Sequence, residues 1–304
     1  MLQILLPNIL HTGSFFSPTA QLFQYLFLLQ LRGELWKLFA RKRTYLGFGV
    51  FLGVESLVLI LCQMPLGQQG LRRAIERFGA VFEQYFSGLT LAMIMVPITV
   101  ILLGALFLCL VGGDIVAKEV EDGTLRMTLC RPISRIRVLA VKYATCVIYT
   151  FVLVFFIGLS ALGAATLVRG NGGLFMAAPE ENLLAIFDHA DGLHRYLTAL
   201  PCLSLSLLTM TTFAFQLSCW DIKPAAATIA AICLFFVDWI LHFLPYFETY
   251  RPWMMTTHMA TWLNCFRAPI VWERMVADYA YLIGLDGTFL IIGAVVFCSR
   301  DFKS

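Results

Sequence analysis

Long apolar runs, separated by charged segments, constrain this chain more than any other feature of its sequence. A run of about 20 apolar residues is long enough to cross the hydrocarbon core of a bilayer. Of the 304 residues, 60% are hydrophobic and 13% are charged, whereas a soluble domain carries roughly 25% charged residues. We therefore expect an all-α integral membrane protein. Hydropathy windows predict six transmembrane helices, over residues 45–63, 89–112, 143–168, 196–220, 224–244 and 279–298.

The segment ahead of these spans has a different pattern. Residues 22–31 are densely apolar but too few to cross a membrane. Gln30, Glu34, Lys37 and Arg41 recur at helical spacing, which is typical of an amphipathic helix lying in the membrane interface. We predict an N-terminal cytoplasmic and interfacial helix region over residues 1–43 and a single six-helix transmembrane domain over residues 44–304. The alternative is that this segment is itself a first span.

The distribution of basic residues predicts the orientation. With both termini in the cytoplasm, fourteen of the 22 Lys and Arg residues fall inside and eight outside, and all six lysines are inside. Such an excess marks the cytoplasmic side. The outer loops contain further amphipathic pieces at 71–86 and 182–197, and an aromatic-rich stretch at 246–278 that is expected to form a structured cap.

Several functional classes are disfavoured. The net charge of +3 is spread over span ends rather than clustered, so we expect no nucleic-acid partner. The nine cysteines and five histidines show no metal-site or disulfide spacing, so we expect no metal. Gly158, Ser160 and Gly163 give G-x-S-x-x-G rather than the G-x-S-x-G of a serine hydrolase, and no HExxH sequence is present. We expect no catalytic residues.

The most informative segment is the charged loop at 112–142, between the second and third predicted spans. Gly123 is suited to a left-handed cap at the end of one helix, and Thr124 is expected to N-cap a short helix over 125–130. Pro132 should stop that helix, and Ser134 should cap the next. The expected product is a short helix carried on two longer ones and presented to the cytoplasm.

These residues resemble the type-2 ABC transporter permeases, including the nitrous-oxide-reductase maturation permease and multidrug or antibiotic exporters. In that family the loop has the form E-x-E-x-G-T-L, then P-[IV]-S-R, then a basic residue that opens the third span. The family's span plan is also similar to the one predicted for most of this chain. The matching residues are Glu119, Glu121, Gly123, Thr124 and Leu125, followed by Pro132, Ile133, Ser134, Arg135 and Lys142.

The resemblance implies a permease subunit of the bacterial inner (cell) membrane that pairs with a second copy of itself, or a close relative, and with two cytoplasmic ATPase subunits. The short helix, with Leu125 and Arg126, would then be the coupling helix that receives motion from the ATPase. Glu119 and Glu121 would pair with basic residues of that partner, or locally with Arg126 and Arg131. The resemblance also implies export. The aromatic stretch at 246–278 makes an outer-face accessory protein a further candidate partner.

ATP chemistry is expected outside this chain. The sequence has no G-x-x-x-x-G-K-[ST] phosphate-binding loop. We therefore expect this chain to bind no cofactor of its own, and ATP and Mg²⁺ to belong to the partner ATPase.

Polar residues inside the predicted spans are candidates for a substrate pathway. Glu55, Asp238 and Asp286 are carboxylates that cost up to about 2.5 to 3.5 kcal/mol each at the bilayer centre. They are protonated, meet hydroxyl and backbone groups, or line a path for a cation. Thr211 lies on a polar stripe that either joins helices or contacts substrate. These carboxylates leave open an alternative function, an ion-coupled secondary transporter or channel.

Overall fold

The computed structural model describes residues 18–40, 42–79, 81–130, 133–178 and 183–300. Within these ranges the protein is almost entirely helical, with one short β-hairpin. In chain order the elements are α1 (Pro18–Phe39), α2 (Lys42–Gln63), α3 (Pro65–Arg77), α4 (Phe82–Tyr85), α5 (Gly88–Thr99), a π-helical turn (Val100–Gly104), α6 (Ala105–Glu121), α7 (Thr124–Leu129), α8 (Arg135–Arg169), β1 (Leu174–Ala178), β2 (Leu183–Phe187), α9 (His189–Ser218), α10 (Pro224–Phe243), a 3-10 segment (Pro245–Trp253), α11 (Met255–Met259), a second 3-10 segment (Ala260–Phe266) and α12 (Trp272–Ser299).

Five helices are long and apolar enough to cross a membrane. They are α2, over Thr44–Gln63, together with α8, α9, α10 and α12. Each coincides with one of the six predicted spans. This confirms the coarse prediction of an all-α protein and indicates an integral membrane protein.

The remaining predicted span, 89–112, is not one continuous α-helix, because a π-helical turn interrupts it. The twelve residues of α5 are followed by the π-helical turn Val100–Gly104 and then by α6, which continues to Glu121. Pro97 lies inside α5, and proline removes a backbone donor from the hydrogen-bond ladder. We attribute the change in helical pitch after Pro97 to that lost donor.

The core lies where α6 packs against α9 and α10, while α8 packs against α5 and α9. Two glycines allow this close approach. A Cβ at Gly112 would lie 2.6 Å from the carbonyl oxygen of Thr211, and one at Gly113 would lie 2.7 Å from the hydroxyl of Thr228. Any larger residue there would therefore push α6 away from its neighbours.

The N-terminal helix α1 turns its polar face toward the protein. Gln30 and Glu34 contact residues of α8, whereas Leu28 and Trp36 are exposed on other faces. The polar residues Gln30 and Glu34 therefore mark a contact between α1 and α8. Residues 1–17 and Arg41 lie outside the described residues.

The connections on the predicted outer side match the expected amphipathic pieces only in part: the end of α3 is strongly amphipathic, whereas a strand occupies the start of the second piece. Segment 71–86 is divided between α3 and α4, and segment 182–197 contains strand β2, which pairs antiparallel with β1 before α9 begins. The apolar residues of β2 read as part of a helix because strand pairing is not a local property of the sequence. Segment 246–278 is structured as expected, in short helical and 3-10 turns followed by the start of α12.

Candidate functional site

The short helix predicted in the loop is present as α7, between α6 and α8. Gly123 joins it to α6 with a φ of +71°, a left-handed conformation that glycine adopts without steric cost. Leu125 is 1% exposed and packs into an apolar cluster with residues of α6, α8, α9 and α12. This single buried side chain fixes α7 to the ends of the longer helices.

The caps at the two ends of the loop follow the prediction only in part. Ser134 accepts a hydrogen bond from the Arg137 amide at 3.3 Å, as expected for the cap of α8. Thr124 is not an N-cap. Gly123 occupies that position, and the Thr124 hydroxyl donates back to the carbonyl of Glu119 at 3.4 Å. Pro132 and Arg131 lie outside the described residues.

A charged network lies directly behind α7, centred on Lys142 of α8. Lys142 is 2% exposed, and its ammonium nitrogen lies 2.7 Å from Glu119 Oε2 and 3.3 Å from Glu34 Oε2. It also donates to the carbonyl of Ile115 at 3.1 Å. Lys37 adds contacts of 2.7 Å to Glu34 and 3.6 Å to Glu119. Three segments of the chain, α1, α6 and α8, therefore meet at one buried ammonium group.

This network corrects the pairing expected for Glu119. Its carboxylate contacts Lys142 and Lys37 rather than the nearby Arg126. The reason is geometric: Glu119 is buried against α8, whereas Arg126 is exposed on α7. Glu121, the last residue of α6, is also exposed.

The pKa values of Glu34 and Lys37 shift in the directions that favour their charged forms. Burial by itself raises the pKa of Glu34, but the ammonium groups of Lys142 and Lys37 outweigh that effect and leave its pKa below the ordinary value of 4.5. Burial by itself lowers the pKa of Lys37, but hydrogen bonding and attraction to Glu34, with attraction to Glu119, raise it above 10.5. Glu34 and Lys37 are therefore both charged at neutral pH.

The two arginines at the start of α8, Arg135 and Arg137, contact different parts of the protein. The guanidinium of Arg135 donates to the carbonyls of Cys298 and Arg300 at 3.1 and 2.7 Å, so it ties α8 to the end of α12. Arg137 donates to the side chain of Gln30 on α1 at 3.0 Å. Both contacts are intramolecular. Arg135 therefore has a structural contact in addition to any role in the loop.

The face of α7 opposite Leu125 is exposed. Met127 is 68% exposed, and Arg126 and Cys130 are exposed beside it. A groove of about 460 Å³ lies between α1, α7 and the start of α8, and its lining includes Thr124, Met127, Glu34 and Lys142. An exposed methionine next to charged groups is suited to contact with another protein.

Glu55 and Thr211 both make contacts between helices. Glu55 is 1% exposed, and its Oε1 accepts a hydrogen bond from the Ser160 hydroxyl of α8 at 3.0 Å. Its Oε2 is buried and has no hydrogen-bond partner among the described residues. The hydroxyl of Thr211 lies 3.0 Å from that of Thr150 and joins α9 to α8.

Asp238 and Asp286 lie on different helices in different surroundings. Asp238 of α10 accepts a hydrogen bond from the Thr256 amide at 2.8 Å, at the start of α11. Asp286 of α12 is 7% exposed, and its Oδ1 is buried without a hydrogen-bond partner in the described part of the chain. The structure thus brings the loop residues together but leaves the three carboxylates as separate positions, each on its own helix.

The sequence interpretation missed that Lys142, Glu34 and Lys37 form one site. The signal for it was present: Glu34 and Lys37 lie on the polar face of α1, and Lys142 follows the loop motif at the opening of a predicted span. Within the described ranges, no group of three His, Cys, Asp or Glu residues is placed to hold a metal ion.

Comparison with known proteins gives a family but no activity. Residues 56–302 match the family described as "Protein of unknown function (DUF2705)". The chain is also similar to "Uncharacterized protein YhcI" of Bacillus subtilis (strain 168), with 31% identity over 124 residues, which cover 38% of this chain and 38% of that protein. The chain thus matches well under half the length of this curated relative. No solved structure matches the chain.

Proposed function

We propose that this chain, which belongs to the DUF2705 family of proteins of unknown function, is the transmembrane subunit of an ATP-driven transporter similar to the type-2 ABC permeases. The observation that carries the proposal is α7. It is a short helix fixed by one buried leucine, backed by a buried charged network and exposing Arg126 and Met127. A helix held rigidly on one side and open on the other is suited to transmit motion from a partner.

In this proposal α7 is the coupling helix and lies on the cytoplasmic side. The excess of basic residues in the segments that would then be inside supports that orientation. The pair α5 and α6 would supply the sixth span, with both termini in the cytoplasm of a bacterial cell. ATP and Mg²⁺ would bind two partner ATPase subunits, and a second permease copy would complete an exporter.

The proposal is tested by changing Met127 to Glu. Met127 is 68% exposed, so the substitution removes no packing and adds a charge to the face offered to the partner. The full chain is co-expressed with the products of its neighbouring genes, which the proposal expects to include an ATPase, and ATPase recovery on affinity purification is measured. We expect a loss of at least tenfold in recovered ATPase. The matched control is Leu66→Glu, the same kind of change at a residue of α3 that is 86% exposed.

Equal recovery of the ATPase with Met127→Glu and with Leu66→Glu would refute the role of α7. Met127 is a better position for this test than Leu125, because Leu125 is in the core and its replacement by a charged residue would disturb folding as well as contact. Labelling of Cys130, which is exposed next to α7, from outside intact cells would also refute the orientation.

A second candidate function is ion-coupled transport without an ATPase. The buried Oε2 of Glu55 and Oδ1 of Asp286, which have no hydrogen-bond partners within the described ranges, favour it. Such an oxygen can bind a proton or a cation. Reconstitution of the purified chain alone separates the two proposals, since only the second allows transport under an ion gradient without ATP.

A further inference from the structure

A cavity of about 230 Å³ lies away from the charged network, between α9, α10 and α12. Its lining is mostly apolar and aromatic, with a single carboxylate. The lining includes Met210, Phe213, Phe235, Asp238, Met255 and Phe289.

The carboxylate is held in place by the backbone. Asp238 Oδ2 accepts a hydrogen bond from the Thr256 amide at 2.8 Å, at the start of α11. This bond fixes the orientation of the side chain. No Lys or Arg is among the described residues that line the cavity.

The aromatic residues give the rest of the lining a chemical preference. Phe213 and Phe289 contact each other with ring centroids 5.1 Å apart and planes inclined at 56°, and Phe235 lines the cavity from α10. The face of an aromatic ring attracts a cation, most strongly where water is excluded. Methionine sulfur is polarizable and adapts to irregular ligands. Three phenylalanines, two methionines and one carboxylate together favour an organic cation over a neutral or anionic ligand.

The size of the cavity limits the ligand. Sites for drug-sized molecules are typically about 300 to 1,000 Å³, and this one is about 230 Å³. A bare metal ion would find only one carboxylate, whereas small ammonium compounds can use both the charge and the apolar walls.

We propose that this cavity binds a small organic cation of the alkylammonium class, with Asp238 as its counter-ion and the phenylalanine rings as its walls. The inference adds a ligand class to the proposed transport function. It does not require the ATPase, because binding is a property of this chain alone.

The test uses radiolabelled benzyltrimethylammonium as the probe and the purified full chain in detergent. Neopentylbenzene, which has the same shape without the charge, is the competitor that isolates the electrostatic contribution. We expect saturable binding of the cation that neopentylbenzene does not displace. Asp238→Asn should weaken binding at least tenfold, because it retains an acceptor for the Thr256 amide but removes the charge. Phe235→Leu should weaken it several-fold. The control Asp191→Asn removes an exposed carboxylate of α9, outside the cavity, and should not change binding.

Displacement by neopentylbenzene as effective as that by unlabelled cation would overturn the proposal, as would unchanged affinity in Asp238→Asn. If Asp238→Asn does not fold, the competition on the unmodified protein and the Phe235→Leu variant still decide. Failure of ATPase co-purification, by contrast, would refute the coupling role of α7 and leave the binding result unaffected.

Discussion

Replacing Lys142 with Met should destabilise the protein more than its position in an apolar helix suggests. The ammonium group of Lys142 is 2% exposed and lies between Glu119 and Glu34, whose side chains are 11% and 19% exposed. Removal of one partner from a buried ion pair typically costs about 3 to 5 kcal/mol, because the remaining charge stays buried. Among the ion pairs of the described residues, the variant would leave the two carboxylates with Lys37, whose side chain is 56% exposed.

We expect a value near the lower end of that range, about 3 kcal/mol, because the two carboxylates are partly solvated and Lys37 remains near them. With an unfolding entropy of roughly 2.1 cal/mol/K per residue, this change lowers the melting temperature of a chain of 304 residues by roughly 5 °C. Hydrogen exchange should also increase in α7 and in the first turns of α8.

The assay is thermal unfolding in detergent, followed by tryptophan fluorescence. Lys223→Met is the matched control, since Lys223 is an exposed lysine just before α10 and surface changes usually stay within about 0.5 kcal/mol. A triple variant that combines Lys142→Met with Glu34→Gln and Glu119→Gln should regain more than half of the decrease in melting temperature. The reason is that no buried charge is then left unpaired. A melting temperature for Lys142→Met equal to that of Lys223→Met would refute the assignment of a buried ion pair.

Two further predictions follow from the same contacts. The pKa of Glu34 is lowered and that of Lys37 is raised, so the stabilisation from Glu34 should be complete above pH 4.5 and lost as pH falls through its lowered pKa, while that from Lys37 should be complete below pH 10.5 and lost as pH rises through its raised pKa. The difference in melting temperature between the wild type and Glu34→Gln, measured against pH, should therefore be constant near neutrality and decrease in acid. A difference that increases in acid would contradict the assignment. Gly112→Ala should lower the melting temperature by several degrees, because its Cβ would lie 2.6 Å from the Thr211 carbonyl oxygen. The control Gly53→Ala should leave the melting temperature unchanged, because no atom of the described protein lies within 4 Å of a Cβ at that position. Equal effects of the two substitutions would contradict the packing of α6 on α9.

The features that could be predicted from sequence are those with local causes. The left-handed Gly123 and the cap at Ser134 depend on residues within a few positions of one another. Apolar runs of crossing length gave five helices that coincide with predicted spans. Local reasoning also placed the short helix within one residue of its position, although it assigned the cap to Thr124 rather than to Gly123.

The features that could not be predicted depend on contacts between distant segments. Lys142 and Glu34 are 108 positions apart, and no periodicity within either helix indicates that they meet. The pairing of β1 with β2 and the cavity beside Asp238 likewise require the arrangement of several helices. The spacing of polar residues in α1 could be recognised in the sequence. Whether they face water or protein depends on their contacts with α8, which the sequence of α1 does not indicate.

The arrangement of the network bears on how α7 could transmit motion. Lys142 belongs to α8, its partners Glu119 and Ile115 belong to α6, and Glu34 belongs to α1. Leu125 packs α7 against residues of α6 and α8, and also against residues of α9 and α12. A displacement of α7 that carried the end of α6 away from α1 and α8 would separate buried charges, and the loss of one partner of such a pair typically costs about 3 to 5 kcal/mol. If the proposed function is correct, a partner that displaces α7 would therefore move α1, α6 and α8 together.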